Sequence, residues 1–129
     1  VKREGGNVTL ISWSRMVDVC LAAAKTLAQE GVEAEVLDLR SLVPLDKEAI
    51  FASVEKTGKV VIVHEACLTG GFGGEVVARV VEHSFDVLRA PPLRVAAPDI
   101  PVPSSIPLEQ VYLRPQAALL EAIRKTAGS

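Results

Sequence analysis

The residues best able to do chemistry sit together in one stretch. His64 and Glu65 place a base beside an acid, Cys67 supplies a thiol three residues after the imidazole, and Gly70-Gly71-Phe72-Gly73-Gly74 leads into a helical pattern. An imidazole exchanges protons near neutrality. A thiol beside it is a candidate nucleophile, and a glycine-rich turn at a helix start can cradle phosphate. Spacing tests each idea. The dinucleotide fingerprint needs G-x-G-x-x-G or a final Ala after the first strand. Aligned on Gly71-Phe72-Gly73-Gly74-Glu75-Val76, its last slot holds Val76, and the loop follows the third predicted strand. There is no Gly-Lys-Ser/Thr for a Walker loop and no Gly-x-Ser-x-Gly elbow. Ser12, Ser14 and Ser53 lack a base-and-acid context, and Asp38, Arg40, Asp46, Glu48 and Asp99 show no metal-ligand spacing. In an extended strand His64 and Glu65 point to opposite faces, so they do not form an acid–base pair. His64 alone stays a catalytic candidate, as general acid or hydrogen-bond donor. The simpler reading has it bonding loop backbone while Glu65 pins the glycine loop or meets another subunit. His83, within Glu82-His83-Ser84, reads as a solvated surface residue.

Alternating elements must position these groups. Val8–Trp13 is β-branched and apolar, which predicts a strand. Ser14 is a candidate cap for a helix carrying Val17, Cys20, Ala24, Leu27 and Ala28, closed by Gly31. Val32–Leu39 reads as a second strand. Asp46 is a plausible N-cap for a helix to about Lys56, with Gly58 closing it. The strand Lys59–His64 follows, ending at the base and acid. A helix over roughly Gly74–Leu88 places Val77, Val80, Val81 and Leu88 on one stripe, Pro91-Pro92 ends it, and Leu93–Ala97 is a fourth strand. Four prolines between Pro98 and Pro107 predict an extended surface path. Leu108–Leu113 is apolar again, and Pro115 suits the first position of a last helix carrying Leu119, Leu120, Ile123 and Ala127. This alternation predicts one three-layer αβα domain with a mainly parallel sheet.

Composition narrows the function classes. The chain has 129 residues, 49% hydrophobic and 23% charged, enough for one good core. A net charge of -2 supplies no basic field for nucleic acid. No apolar run approaches the roughly 20 residues that span a bilayer. Cys20 and Cys67 lack a CxxC spacing and read as reduced core thiols of an intracellular protein. The first residues, Val1 to Asn7, read as a polar, glycine-containing linker from a preceding domain.

The run Val36-Leu37-Asp38-Leu39-Arg40-Ser41-Leu42-Val43-Pro44-Leu45-Asp46, then Ser53–Lys59, Val63-His64-Glu65-Ala66 and Gly70-Gly71-Phe72-Gly73, resembles a known family. Ala90–Val95, Asp99-Ile100-Pro101-Val102-Pro103 and Leu108–Leu113 continue the likeness in order. It is similar to the C-terminal, transketolase C-terminal-like domain of the beta subunit of 2-oxo acid dehydrogenases, the pyruvate, branched-chain and acetoin type. The resemblance implies a three-layer α/β fold with a mostly parallel five-stranded sheet, one strand antiparallel. It implies residues 1–7 as linker from a pyrimidine-binding domain and residues 8–129 as the domain itself, part of an enzyme without being catalytic alone. Thiamine diphosphate and Mg are expected outside this region. Expected partners are the alpha subunit, a second beta subunit and the peripheral subunit-binding domain of dihydrolipoyl acyltransferase, with Glu65, Gly71, Phe72, Gly73 and Tyr112 as interface candidates. The expected compartment is the cytoplasm of a prokaryote or the mitochondrial matrix. Two other functions fit the residues: a flavodoxin-like protein holding phosphate or a nucleotide at Gly70–Gly74, or the C-terminal piece of a transketolase-type enzyme.

Overall fold

The computed structural model describes residues 1–97 and 115–128. Its strands are β1 (Val8–Ser12), β2 (Ala34–Asp38), β3 (Val60–Cys67) and β4 (Leu93–Ala97). The helices are α1 (Met16–Ala28), α2 (Lys47–Thr57), α3 (Phe72–Ser84) and α4 (Pro115–Ala127). The strands are hydrogen-bonded in the order β2-β1-β3-β4, all parallel, with Thr9 opposite Val60 and Ser12 opposite Val63 at the centre. Beyond these strands, antiparallel pairing among the described residues is limited to the bridges Arg3–Val36 and Leu42–Leu45. The expected fifth, antiparallel strand is therefore not among the described elements.

Strands covered on both faces read as continuous apolar runs, and β1 and β3 do so because helices flank both sides. Val8, Leu10, Val61 and Val63 pack with Val17, Cys20, Ala24 and Leu27 of α1 and Leu119 and Ile123 of α4. On the other face Ile11, Leu37, Val60 and Ile62 pack with Ile50 and Val54 of α2 and Val76 and Val80 of α3. Burial pushes the Cys20 thiol up to about 12 against the lowering effect of a Ser12 hydrogen bond, so this cysteine is an inert core residue. No helix among the described residues is long and apolar enough to cross a membrane.

Helix α2 is bounded as its local signals predict. The Asp46 carboxylate accepts the Ala49 N–H at 3.1 Å. Gly58, at φ +70°, donates its N–H to the Val54 carbonyl at 2.7 Å. Three expectations are corrected. Ser14 adopts φ +59° and its hydroxyl does not cap α1; its carbonyl instead accepts the Val17 N–H at 3.2 Å. Strand β3 does not stop at His64 but runs to Cys67, because the ladder with β4 shifts register between Val63 and Cys67 and then resumes. Helix α3 begins two residues early, at Phe72, and gives way to a 3₁₀ turn at Phe85–Val87. Its buried stripe is Gly73, Val76, Val80 and Ser84, so Val77, Val81 and Leu88 lie only at its margin. The expected proline-rich path of 98–107 and the apolar 108–113 lie outside the described residues.

The leading residues lie along the outer edge of β2. The Lys2 N–H donates to the Val36 carbonyl at 2.8 Å, and the Val36 N–H donates to the Arg3 carbonyl at 2.9 Å. Beneath them a buried polar hub joins β1, β2 and α2. The Glu35 carboxylate, 2% exposed as a residue, accepts from Ser53 Oγ at 2.5 Å, Lys56 Nζ at 2.7 Å and the Gly5 N–H at 3.3 Å. Thr9 Oγ1 lies 2.8 Å from Ser53 Oγ and 2.7 Å from Thr57 Oγ1. Burial raises the affinity of Glu35 for a proton, but the bonds from Lys56, Ser53 and Gly5 outweigh it and hold the carboxyl below its ordinary value. Such a group stabilises the fold above the ordinary carboxylate range and loses that contribution as pH falls through its lowered value. Glu35→Gln is expected to lower stability by about 1–3 kcal/mol at pH 7 and by clearly less near pH 3. Urea unfolding at the two pH values checks this; an equal loss at both would assign the effect to packing alone.

Candidate functional site

The chain leaves β1 for a helix on one face of the sheet and leaves the adjacent β3 for a helix on the other. In open α/β sheets such a topological switch point opens a crevice at the carboxyl ends of the two strands, where ligands bind. Here those ends carry Ser12, Trp13, Ser14 and Arg15 on one side and His64 and Glu65 on the other.

Side chains of the protein itself fill that crevice. The Trp13 and His64 rings stack with centroids 5.5 Å apart and planes 10° apart. Phe72 meets Trp13 edge-on at 5.9 Å and 83°. His64 is only 2% exposed. Over its imidazole lies the bare backbone of Gly73: a Cβ there would stand 2.6 Å from His64 Cδ2, inside any tolerable contact. Glu65 leaves on the opposite face, where one of its oxygens is 3.6 Å from Arg15 Nε. Both partners of that pair are well exposed, so it adds little to stability. The acid and base that adjoin in sequence therefore serve different layers. Gly73 is buried inside the domain, Gly71 and Phe72 are half-buried beside it, and Glu65 is exposed. Tyr112 lies outside the described residues, as does the side chain of Cys67, and with it both the core-thiol reading and the alternative thiol–imidazole contact. His83 is exposed, with its ring stacked on Phe51 at 3.8 Å. Trp13 is the site residue that sequence reasoning misses, although an aromatic residue just past a strand's carboxyl end is the available signal.

A shallower cleft of about 820 Å³ opens beside the crevice, between the Leu42–Leu45 turn, the glycine loop and the first turns of α3. Its charged lining residues are Lys47, Arg79, Arg94 and Glu75. Arg79 Nε donates to Glu75 at 2.9 Å, and the Arg94 guanidinium donates to the Leu68 carbonyl at 2.9 Å. No group of three or more His, Cys, Asp or Glu side chains among the described residues could hold a metal ion.

The switch point of this doubly wound parallel domain is occupied by its own aromatic side chains. The sequence carries the matching signature: residues 1–118 fit the model of the transketolase C-terminal domain. This chain belongs to that family. It is 41% identical to the mitochondrial 2-oxoisovalerate dehydrogenase subunit beta 2 of Arabidopsis thaliana, over 99% of this chain and 35% of that protein. It is 47% identical to the acetoin:2,6-dichlorophenolindophenol oxidoreductase subunit beta of Bacillus subtilis, over 88% of this chain and 33% of that one. Pyruvate dehydrogenase beta subunits match as well. The solved structure of a split-gene transketolase, an inactive beta4 tetramer, superposes with a TM-score of 0.84 at 30% identity, covering 99% of this chain and 40% of that one. The chain thus spans roughly a third of the length of the curated relatives it matches.

The family implies thiamine diphosphate with Mg, and the residues present do not fit that group. The crevice holds Trp13, His64 and Phe72 where two heterocyclic rings would need space. The neighbouring cleft has one carboxylate among its lining residues, Glu75, already tied to Arg79.

The tight imidazole contact has a measurable sign. In a helix, Gly→Ala normally stabilises by roughly 0.5–1 kcal/mol. At Gly73 the expected outcome is a loss of about 1–3 kcal/mol from overpacking. In a His64→Ala background, which vacates the ring, Gly73→Ala is expected to become neutral or stabilising. Urea denaturation of the four proteins in this cycle checks it, and additive effects would refute the contact as the cause.

Proposed function

We propose that this chain is the C-terminal domain of the beta subunit of a 2-oxo acid dehydrogenase, serving subunit association and docking to the acyltransferase core. In this reading the intact enzyme decarboxylates a 2-oxo acid oxidatively and passes the acyl group to a lipoyl domain. Thiamine diphosphate and Mg sit outside this region, held by the alpha subunit and by a pyrimidine-binding domain that residues 1–7 connect to this one. The partners are the alpha subunit, a second beta subunit and the peripheral subunit-binding domain of the acyltransferase. The compartment is the cytoplasm or the mitochondrial matrix; the relatives carry names from bacteria and from mitochondria.

The observation that carries this reading is the closed switch point, which leaves the usual ligand position to Trp13, His64 and Gly73. Exposed apolar side chains support it on the association side: Val43 is 89% and Phe85 70% exposed. A solved relative described as a beta4 tetramer supports self-association of beta chains. The test uses the complete beta subunit co-purified with its alpha subunit. His64→Ala is expected to lower turnover by about tenfold or less, with part of the loss in assembly read by sedimentation. A drop of several orders of magnitude with assembly intact would make His64 catalytic and overturn the packing assignment.

The second reading, phosphate binding, draws on the three cations of the 820 Å³ cleft, Lys47, Arg79 and Arg94. Titration calorimetry with inorganic phosphate and with ATP is expected to show no heat of tight binding. Micromolar binding lost in Arg94→Ala would favour this reading instead.

A further inference from the structure

Two adjacent glycines near the start of the chain are structurally unequal. A Cβ on Gly5 would lie 2.6 Å from both the Glu33 carbonyl oxygen and the Glu35 nitrogen, whereas a Cβ on Gly6 would meet nothing within 4 Å. Gly5 is pressed onto the backbone of β2; Gly6 stands clear of it. Around Gly5 the residues Arg3, Glu4 and Asn7 are each fastened. Arg3 donates to the Ala34 carbonyl at 2.7 Å and to the Glu33 carboxylate at 2.8 Å. Lys56 Nζ bridges Glu4 at 2.8 Å and buried Glu35 at 2.7 Å. The Asn7 side-chain oxygen accepts the Glu33 N–H at 2.7 Å, and the Asn7 N–H donates to the Glu33 carbonyl at 3.0 Å. Contacts thus run along the segment from Lys2 to Asn7. A glycine-rich polar segment in solution is a flexible coil, and an uncovered edge strand is a site for unwanted pairing.

We propose that residues 2–7 are a docked strap, seated on the edge of β2 and locked by the Glu35 carboxylate, so that the domain itself fixes how the polypeptide enters it. This rests on the reading of the chain as the C-terminal part of a longer subunit. The segment is then a rigid lead-in that moves with this domain, and any hinge lies upstream of it. The lock has two layers: backbone pairing of Lys2 and Arg3 with Val36, and the carboxylate that holds the Gly5 N–H and, through Lys56, Glu4. Removing either layer frees the strap without opening the apolar core.

The test compares Gly5→Ala, Gly6→Ala and Glu35→Gln in the polypeptide encoded by the complete reading frame. Hydrogen exchange at the backbone amides of Arg3, Val36 and position 5 is expected to rise about tenfold or more in Gly5→Ala and Glu35→Gln. In Gly6→Ala it should stay within about twofold of the parent, and the Leu10 and Ile11 amides should hold in Gly5→Ala and Gly6→Ala. In Glu35→Gln they should accelerate only by the global loss that urea unfolding measures, and stay protected after the strap amides have exchanged. Limited trypsin treatment gives an independent reading: cleavage after Lys2 or Arg3 is expected to quicken in Gly5→Ala and not in Gly6→Ala. If Gly5→Ala and Gly6→Ala behave alike, the close approach at Gly5 does not seat the strap and the proposal fails. It fails equally if strap and β1 amides accelerate together, since the strap would then open only with the whole fold. Sedimentation with the alpha subunit reports the assembly proposal separately, so loss of one does not imply loss of the other.

Discussion

The contact between the His64 imidazole and the bare backbone of Gly73 sets how the rest of this domain packs. With no side chain at Gly73, helix α3 settles directly over β3, and Val76 and Val80 come down against Val60 and Ile62. The same contact holds the ring flat against Trp13, which in turn takes the edge of Phe72. Three aromatic groups and one missing methyl thus occupy the place where a doubly wound sheet would otherwise present a ligand crevice. Interiors pack at crystal-like density, so a site filled this way has no slack to admit a second set of rings.

Much of this is legible in the sequence because the physics is local. Alternating strand and helix patterns, the Asp46 and Gly58 caps of α2 and Pro115 at the start of α4 depend on neighbours within a few residues, and the structure places them where the sequence does. The same alternation yields the three layers, and the ordered motifs add the family. What is not legible depends on distant partners. β3 continues past His64 because β4 is there to pair with it after the register shift, and nothing near Glu65 announces β4. Ser14 has the composition of a cap, yet the turn from β1 into α1 takes it to a positive φ. Gly73 reads as one glycine in a flexible loop, and only the ring beneath it shows that it is a packing residue inside a helix.

The lead segment shows the same limit from the other side. Gly5-Gly6-Asn7 has the composition of a free linker, and composition alone cannot distinguish a coil from a strap. The deciding partner is Glu35, thirty residues on, which alternation places on the α2 face of β2 beside Thr9 of β1. Nothing in the local sequence marks this carboxylate as buried, since Glu is rarely buried unless paired. It is buried because Ser53, Lys56 and Gly5 all donate to it.

An apolar side chain at position 35 would pack against α2 without the desolvation that a carboxylate carries, and replacing buried ionic groups by apolar ones is often neutral or stabilising. Packing alone therefore does not explain the hub. Its distinctive consequence is directional: an apolar residue offers no acceptor to the Gly5 N–H and no anion to Lys56, and Lys56 is what reaches Glu4. The hub favours one placement of the entering chain over a nearby slipped one, because a shift by a residue would leave buried acceptors without donors. A sheet edge with exposed N–H and C=O groups accepts many strands, and a charged lock beside it narrows that choice to one register. The apolar core decides that the domain folds, and the polar hub decides how the chain is threaded onto it.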